Sequence, residues 1–194
     1  MAVTETTIGG WSKSNIGYLR KVYLLKRTDV LQVCDPLRFK TVGGYVIAAN
    51  GSRVIAASGI VVKDSSQYVL VRFPNQSATA KVNEVAMGSN YVYDYVLAGD
   101  MPGAQEDILA FRDANREQQF VLIFEDNNGR VWIIGNEERG LVMRVNGVIG
   151  AENSFFIEFS GRLNVPIFRV EGINLPSFWA NCEFSTEFST DFLA

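Results

Sequence analysis

Histidine is absent from the 194-residue chain, and its absence excludes several kinds of active site. Ser-His-Asp and Cys-His catalytic groups need an imidazole base, and many zinc sites need imidazole ligands. Chemistry by carboxylate, Lys or Tyr side chains stays open. Since the other motifs of the chain also favour structural roles, the sequence predicts a protein that is not an enzyme. We expect no catalytic, cofactor-binding or metal-binding residues.

Cysteine is scarce, with Cys34 and Cys182 as the only two. Their wide separation excludes a C-x-x-C redox or zinc motif. Two free thiols in a reducing compartment is the preferred interpretation. A disulfide between them stays open at this point.

Long apolar runs and basic clusters are also lacking. The longest apolar runs, such as 120–124, span about five residues, whereas a membrane-spanning helix needs roughly 20. The first residues show no basic run followed by an apolar stretch, so no secretory signal is expected. The net charge is −3 and no Lys/Arg cluster could neutralise a row of phosphates. The sequence therefore predicts neither a membrane partner nor ordinary nucleic-acid binding.

Short segments rich in strand-forming residues dominate the chain. Apolar residues make up 47% and charged residues 20%, values that are ordinary for a folded domain with a real core. Asn50-Gly51 and Asn128-Gly129 are hairpin turn signals, because both turn positions favour positive φ. Strands are predicted at 18–26, 29–33, 45–49, 54–57, 60–63, 68–73, 79–87, 91–97, 120–124, 130–135, 141–145 and 154–160.

One helix is predicted, over about residues 101–116. Asp100 is a candidate N-cap and Pro102 suits a first helical turn. Ile108, Leu109 and Phe111 then fall on one side. We expect this amphipathic helix to lie on a sheet.

About ten strands and one helix indicate a mainly β fold, an antiparallel β-sandwich or barrel with a flanking α-helix and extended terminal arms. The expected organisation is an N-terminal arm at 1–16, a β domain at 17–168 and a C-terminal extension at 169–194. In that extension Phe184, Phe188 and Phe192 recur every four residues, which suits one stripe of a helix, although Ser-Thr pairs are poor helix formers. Such aromatic residues at a chain end indicate docking, on the chain's own body or on a neighbour.

Two acidic segments could carry chemistry. The segment 126–129, Asp-Asn-Asn-Gly, could be a calcium loop, but it lacks the alternating oxygen ligands and distal Glu of an EF-hand. We interpret it as a hairpin turn. Glu137 and Glu138 could be a carboxylate pair, but adjacent residues in a polar loop usually point apart. We interpret them as solvated loop residues.

A stripe of Tyr91, Tyr93 and Tyr95 lies on one face of a predicted strand. It could stack nucleic-acid bases, but without basic neighbours we expect it to pack. The glycine pairs at 9–10 and 43–44 form neither a dinucleotide fingerprint nor a P-loop.

Several segments together resemble a known family. Residues 17–33 begin with GYLRKVYLL, and residues 120–135 read FVLIFEDNNGRVWIIG. The closing strands follow in 140–143 and 155–159, which read GLVM and FFIEF. Over roughly 17–33 and 95–168 the chain resembles virion structural proteins of tailed bacteriophages, of the tail-tube type.

The resemblance implies a β-sandwich or barrel of tail-tube type that closes as rings, usually hexameric. It implies that rings stack through loops and terminal arms, contact other virion proteins, and pass DNA as non-specific cargo down the lumen. The family has no catalytic residues. The implied location is the virion, assembled in the host cytoplasm.

Other roles stay open on the sequence. They are a head–tail connector, a tail terminator, a capsid decoration protein, or a tube protein of a contractile injection system. A small-ligand-binding β-barrel or a carboxylate-based enzyme is a further alternative, which predicts a deep pocket with convergent polar groups.

Overall fold

The computed structural model describes residues 19–35, 40–42, 45–47, 53–63, 66–74, 77–88, 90–102, 106–148, 154–173 and 183–188. Within these residues the chain forms fifteen β-strands and one α-helix. The prediction of a mainly β fold with one helix is therefore confirmed for this part of the chain.

The helix α1 spans Glu106–Ala114. The strands, in chain order, are β1 (Leu19–Lys26), β2 (Val30–Val33), β3 (Lys40–Val42), β4 (Tyr45–Ile47), β5 (Val54–Ala56), β6 (Ile60–Val62), β7 (Gln67–Arg72), β8 (Ala78–Met87), β9 (Asn90–Pro102), β10 (Gln119–Asp126), β11 (Val131–Ile134), β12 (Leu141–Val148), β13 (Ser154–Leu163), β14 (Phe168–Glu171) and β15 (Glu183–Phe188).

Eleven of these strands form one sheet. Its main path runs β15-β7-β1-β10-β12-β13-β9-β8, with β11, β14 and β5 branching from β10. Pairing is antiparallel except between β15 and β7 and between β14 and β5. The pairs β2–β6 and β3–β4 form two separate ribbons. The sheet is therefore mixed but mostly antiparallel.

The branch at β10 follows from its register with two partners. Phe120 pairs with Leu141 of β12, whereas Leu122 to Glu125 pair with β11. The central residues of β1 and β10 are buried on both faces of the sheet, as their continuous runs of apolar residues favour. The buried side chains of the whole sheet form one core cluster.

The helix covers one part of this core. Ile108 is fully buried, and the ring of Phe111 lies 5.9 Å from the ring of Phe120 on β10. This placement agrees with the expectation of an amphipathic helix lying on a sheet.

The predicted start of the helix was wrong. Asp100, Met101 and Pro102 belong to β9, and α1 begins only at Glu106. Met101 is fully buried and pairs with Phe155 of β13. Pairing with a strand more than 50 positions away in sequence therefore overrides the local Asp-x-Pro start signal.

The β10–β11 hairpin confirms the turn predicted at Asn128-Gly129. The Asp126 amide donates to the Arg130 carbonyl at 2.9 Å, and Gly129 has φ +72°. The turn predicted at Asn50-Gly51 lies outside the described residues.

Three strands were not predicted: β3, β14 and β15. β14 continues the sheet to Glu171 and buries Val170. β15 lies within the aromatic C-terminal segment and pairs with β7 of the same chain. The described part of that segment therefore docks on the chain's own body.

Candidate assembly site

The longest hairpin of the sheet joins β8 to β9. Ten consecutive residue pairs run from Ala78–Gly99 to Met87–Asn90 without a register shift. The strands are joined by residues 88 and 89, and Gly88 has φ +62°, which suits a tight hairpin turn. The sequence predicted both strands but not their joining into one long hairpin.

The root of this hairpin is packed tightly into the core. Ala78 and Leu97 are fully buried. A Cβ added at Gly99 would lie 2.7 Å from both the Ala78 Cβ and the Phe73 Cδ1, so only glycine fits there without movement. The root is therefore fixed by close packing.

Burial declines sharply towards the tip. Tyr95 is 1% exposed and Tyr93 is buried, whereas Tyr91 is 56% and Met87 55% exposed. The predicted packing of the tyrosine stripe is thus confirmed for two of its three members. The tip presents apolar surface to solvent.

Strand β8 ends the sheet. Within the described chain it pairs with β9 alone. Its exposed residues include only two charged ones, Lys81 and Glu84, and it contains no proline or bulge. Natural edge strands are usually short, bulged or heavily charged, because a regular edge is a template for pairing. A ten-residue regular edge therefore marks a candidate pairing site.

The ladder identifies which backbone groups face outward. The Asp100 amide donates to the Ser77 carbonyl at 3.2 Å, which makes these two residues a hydrogen-bonded pair. Such pairs alternate with non-bonded pairs along an antiparallel ladder. The non-bonded positions direct their N–H and C=O groups away from β9. On β8 they are Ala78, Ala80, Val82, Glu84 and Ala86.

Arg53 directly precedes β5, and its side chain contacts both strands of the β8–β9 hairpin. Its guanidinium lies 3.5 Å from the Glu84 carboxylate and 5.8 Å from the Tyr93 ring centroid. Its carbonyl accepts the Arg169 amide of β14 at 2.8 Å. Arg53 thus links the hairpin to the β5–β14 end of the sheet.

The tyrosines on this face have shifted acidity. Burial raises the pKa of Tyr93, and the Glu84 carboxylate raises it further, while Arg53 lowers it. Burial also raises the pKa of Tyr95 beyond its usual range. The Tyr95 hydroxyl donates to the Val165 carbonyl at 2.9 Å. Both rings therefore serve as neutral packing groups at neutral pH.

The opposite face of β12, β13 and β9 carries paired charges. The Arg162 Nε and Nη2 donate to the two Asp94 carboxylate oxygens at 2.6 and 2.9 Å. This bond from Arg162 lowers the pKa of Asp94. Arg144 lies 3.9 Å from Glu158. These cations are thus neutralised locally by partners on adjacent strands.

Asp126, in the first acidic segment, has a structural role in the β10–β11 turn. The Asp126 Oδ1 accepts the Asn128 and Arg130 amides, and its Oδ2 accepts the Trp132 Nε1 at 3.1 Å. Donors thus reach both carboxylate oxygens, and the interpretation of 126–129 as a hairpin turn is confirmed.

Glu137 and Glu138 are separated in their roles. The Glu137 Oε2 accepts the Val33 amide of β2 at 2.9 Å. Glu138 lines an open polar depression of about 290 Å³ together with Arg27 and Glu117. The interpretation of Glu137 as a solvated loop residue was therefore wrong, whereas Glu138 is exposed as predicted.

The structure describes only some of the cysteines and glycine pairs noted in the sequence. Cys34 is buried, whereas Cys182 and both glycine pairs lie outside the described residues. In the described ranges no three His, Cys, Asp or Glu side chains are grouped to hold a metal ion. Across the same ranges no helix is long and apolar enough to cross a membrane.

Comparison with known proteins adds no relative. No family model matches the chain, and no curated protein or solved structure matches it. The geometry of the β8 edge is therefore the main basis for a functional proposal.

Proposed function

We propose that the chain is a structural subunit of a phage virion, most simply a tail-tube protein that assembles with copies of itself. The long, regular edge of β8, which has no second partner strand among the described residues, is the observation that carries this proposal. The segments 17–33 and 95–168, which resemble tail-tube proteins, give the assembly its expected form. That form is a set of stacked rings around a DNA channel, formed in the host cytoplasm.

The physical reasoning starts from the exposed backbone. Outward N–H and C=O groups at Val82, Glu84 and Ala86 can form a further ladder without loss of any bond to β9. The other end of the sheet path is a different strand, so a contact from β8 to that end is head-to-tail. Head-to-tail contacts generate rings when the rotation closes and filaments when it does not.

The paired charges support a role beside DNA. Arg162 and Arg144 are each matched with a carboxylate, so this face offers few unpaired cations to phosphates. The whole chain carries a net charge of −3. A surface of this kind can border a polyanion without holding it.

The test is a substitution that removes one outward amide. Val82→Pro deletes an N–H that faces away from β9, and proline is tolerated at such edge positions. Val82→Ala is the matched control, since it removes the same exposed side chain but keeps the amide. Purified proteins are compared by negative-stain electron microscopy and sedimentation velocity.

We expect rings or tubes from the wild type and from Val82→Ala, and their loss in Val82→Pro with a folded subunit by circular dichroism. A wild-type protein that stays monomeric at all concentrations would contradict the proposal. Particles of a different symmetry would redirect it to a connector, terminator or decoration role.

A further inference from the structure

Strand β15 differs from every other strand of the main sheet path in how it is attached. It pairs with β7 in parallel, from Glu183–Gln67 to Phe188–Val71, with one irregularity between Phe184 and Thr186. Within the described residues β7 is its only strand partner. The other side of β7 pairs with β1, so β15 is an added outer strand.

The edge of β7 that β15 covers is apolar. Val69, Leu70 and Val71 of β7 are buried, and β7 reads QYVLVR. An exposed segment of this length and apolar content would be prone to aggregation. The β7 edge is therefore a strong acceptor for a strand, whichever chain supplies it.

The attachment of β15 does not depend on a tight turn. Nine residues, 174–182, separate Ile173 from Glu183. A connection of that length spans up to roughly 30 Å when extended. The radius of gyration expected for 194 residues is about 16 Å, so an extended connection of this length is nearly twice that radius and can bridge to a copy in direct contact.

The sequence of β15 also weakens its register. Residues 183–190 read EFSTEFST, a four-residue unit repeated twice. The strand repeat is two residues, so a shift of four presents the same residue types on the same face. Parallel pairing is moreover slightly less stable per residue than antiparallel pairing. β15 is therefore a strand that can leave β7 and return in equivalent positions.

The position of β15 places this exchange at the proposed contact. β8 and β15 are the two ends of the main sheet path. A head-to-tail contact through β8 therefore brings the next copy's β7 end alongside. The occupant best suited to that β7 edge is the same strand from the adjacent copy, because it forms the identical ladder.

We infer that β15 is an exchanged strand: in the assembled protein, the β7 edge of each subunit is covered by β15 of a neighbouring copy. This inference rests on the proposed self-assembly. The exchange conserves every β15–β7 backbone bond and links the subunits mechanically.

The test uses cysteines at one register pair. Gln67 is exposed and is the Cα partner of Glu183. Gln67→Cys and Glu183→Cys are made separately in full-length chains carrying Cys34→Ser and Cys182→Ser, then mixed, co-assembled and oxidised. A disulfide between the two variants can form only if β15 of one copy lies on β7 of another.

We expect covalent dimers in the mixed assemblies, involving about a quarter of the head-to-tail contacts, the share set by random mixing. The double variant Gln67→Cys/Glu183→Cys should give covalent chains of several subunits after assembly. A matched control replaces Gln67→Cys by Arg116→Cys, an exposed position after α1 and outside both end strands of the sheet path, and should give no such dimers.

The outcomes separate the two proposals. Assemblies in which the double variant forms disulfides only within one chain would overturn strand exchange and leave self-assembly standing. Dimers formed as readily through Arg116→Cys as through Gln67→Cys would show that the disulfides arise from chance contacts between chains, which also overturns exchange on β7. A wild type and background variant that never assemble would overturn both.

Discussion

Asp94 on β9 and Arg162 on β13 form a two-point ion pair across directly paired strand positions. The distances are 2.6 Å from Nε to Oδ1 and 2.9 Å from Nη2 to Oδ2. Two parallel bonds fix the orientation of both side chains on an otherwise exposed face. The pair therefore couples the long hairpin to the rest of the sheet.

The first prediction concerns the pH dependence of this pair. The Arg162 bond lowers the pKa of Asp94 in the folded protein, so the pair stabilises the fold above the ordinary Asp pKa of about 3.9. That contribution is lost as the pH falls through the lowered pKa. The difference in unfolding free energy between wild type and Asp94→Asn should be small, constant near neutrality, and vanish in acid.

Urea unfolding at a series of pH values measures this difference. Arg162→Gln should remove the same acid-dependent contribution, and the double variant should lose no more than either single one. If the double variant lost as much unfolding free energy as the two single variants together, the side chains would not act as a pair.

The second prediction concerns the buried hydroxyl of Tyr95. Tyr95→Phe deletes the donor to the Val165 carbonyl and leaves that carbonyl without this partner. We expect a loss of about 1–2 kcal/mol in unfolding free energy. Tyr91→Phe is the matched control, because Tyr91 is exposed, and should change stability by less than about 0.5 kcal/mol.

Alkaline titration gives the same variant a second readout. Burial raises the pKa of Tyr95, so the unfolded chain ionises first as the pH rises above about 10. Stability should therefore decline above that pH, and less steeply in Tyr95→Phe. Equal slopes in the two proteins would mean that this hydroxyl is not buried as described.

The third prediction tests Arg53 as the brace of the hairpin. Both Arg53 and Glu84 are about half exposed, so Arg53→Gln should lower the unfolding free energy by less than about 1 kcal/mol. Loss of the contacts with Glu84 and Tyr93 should nonetheless speed hydrogen exchange in β8 and β9 and reduce assembly. Hydrogen exchange with mass spectrometry measures the first effect.

Arg116→Gln is the matched control for this brace. Arg116 is an exposed cation in an ion pair with Asp113, beyond the end of the helix. It should leave exchange in the hairpin unchanged. Equal protection of β8 and β9 in wild type and Arg53→Gln would show that the hairpin holds its position without Arg53.

The strands and the β10–β11 hairpin could be predicted because their signals are local. Asn128-Gly129 sets the turn within four residues, and the apolar run of β10 lies next to it. The start of the helix could not be predicted in this way, because Met101 belongs to β9 through its pairing with Phe155. The sequence predicted the distant strand at 154–160, but its pairing with residues 100–102 is not a local signal.

The candidate site was hidden for a similar reason. β8 was predicted as a strand, but whether it is central or an edge depends on which strands pair. The contact of Arg53 with Glu84 joins residues about 30 positions apart. A turn signal at Gly88 could have indicated the hairpin, though not its free side.

The last prediction concerns Asp126, whose carboxylate organises the β10–β11 turn. Asp126→Ala removes the acceptor of two backbone amides and of the Trp132 Nε1, so we expect a loss of about 1–3 kcal/mol in unfolding free energy. Asp126→Asn keeps one oxygen acceptor for the amides but loses the bond from Trp132, and should fall between wild type and Asp126→Ala. Because N–H donors already occupy both carboxylate oxygens, millimolar calcium should not raise the melting temperature of the wild type. A calcium-dependent increase that Asp126→Asn abolishes would overturn this structural role and restore the calcium-loop interpretation of 126–129.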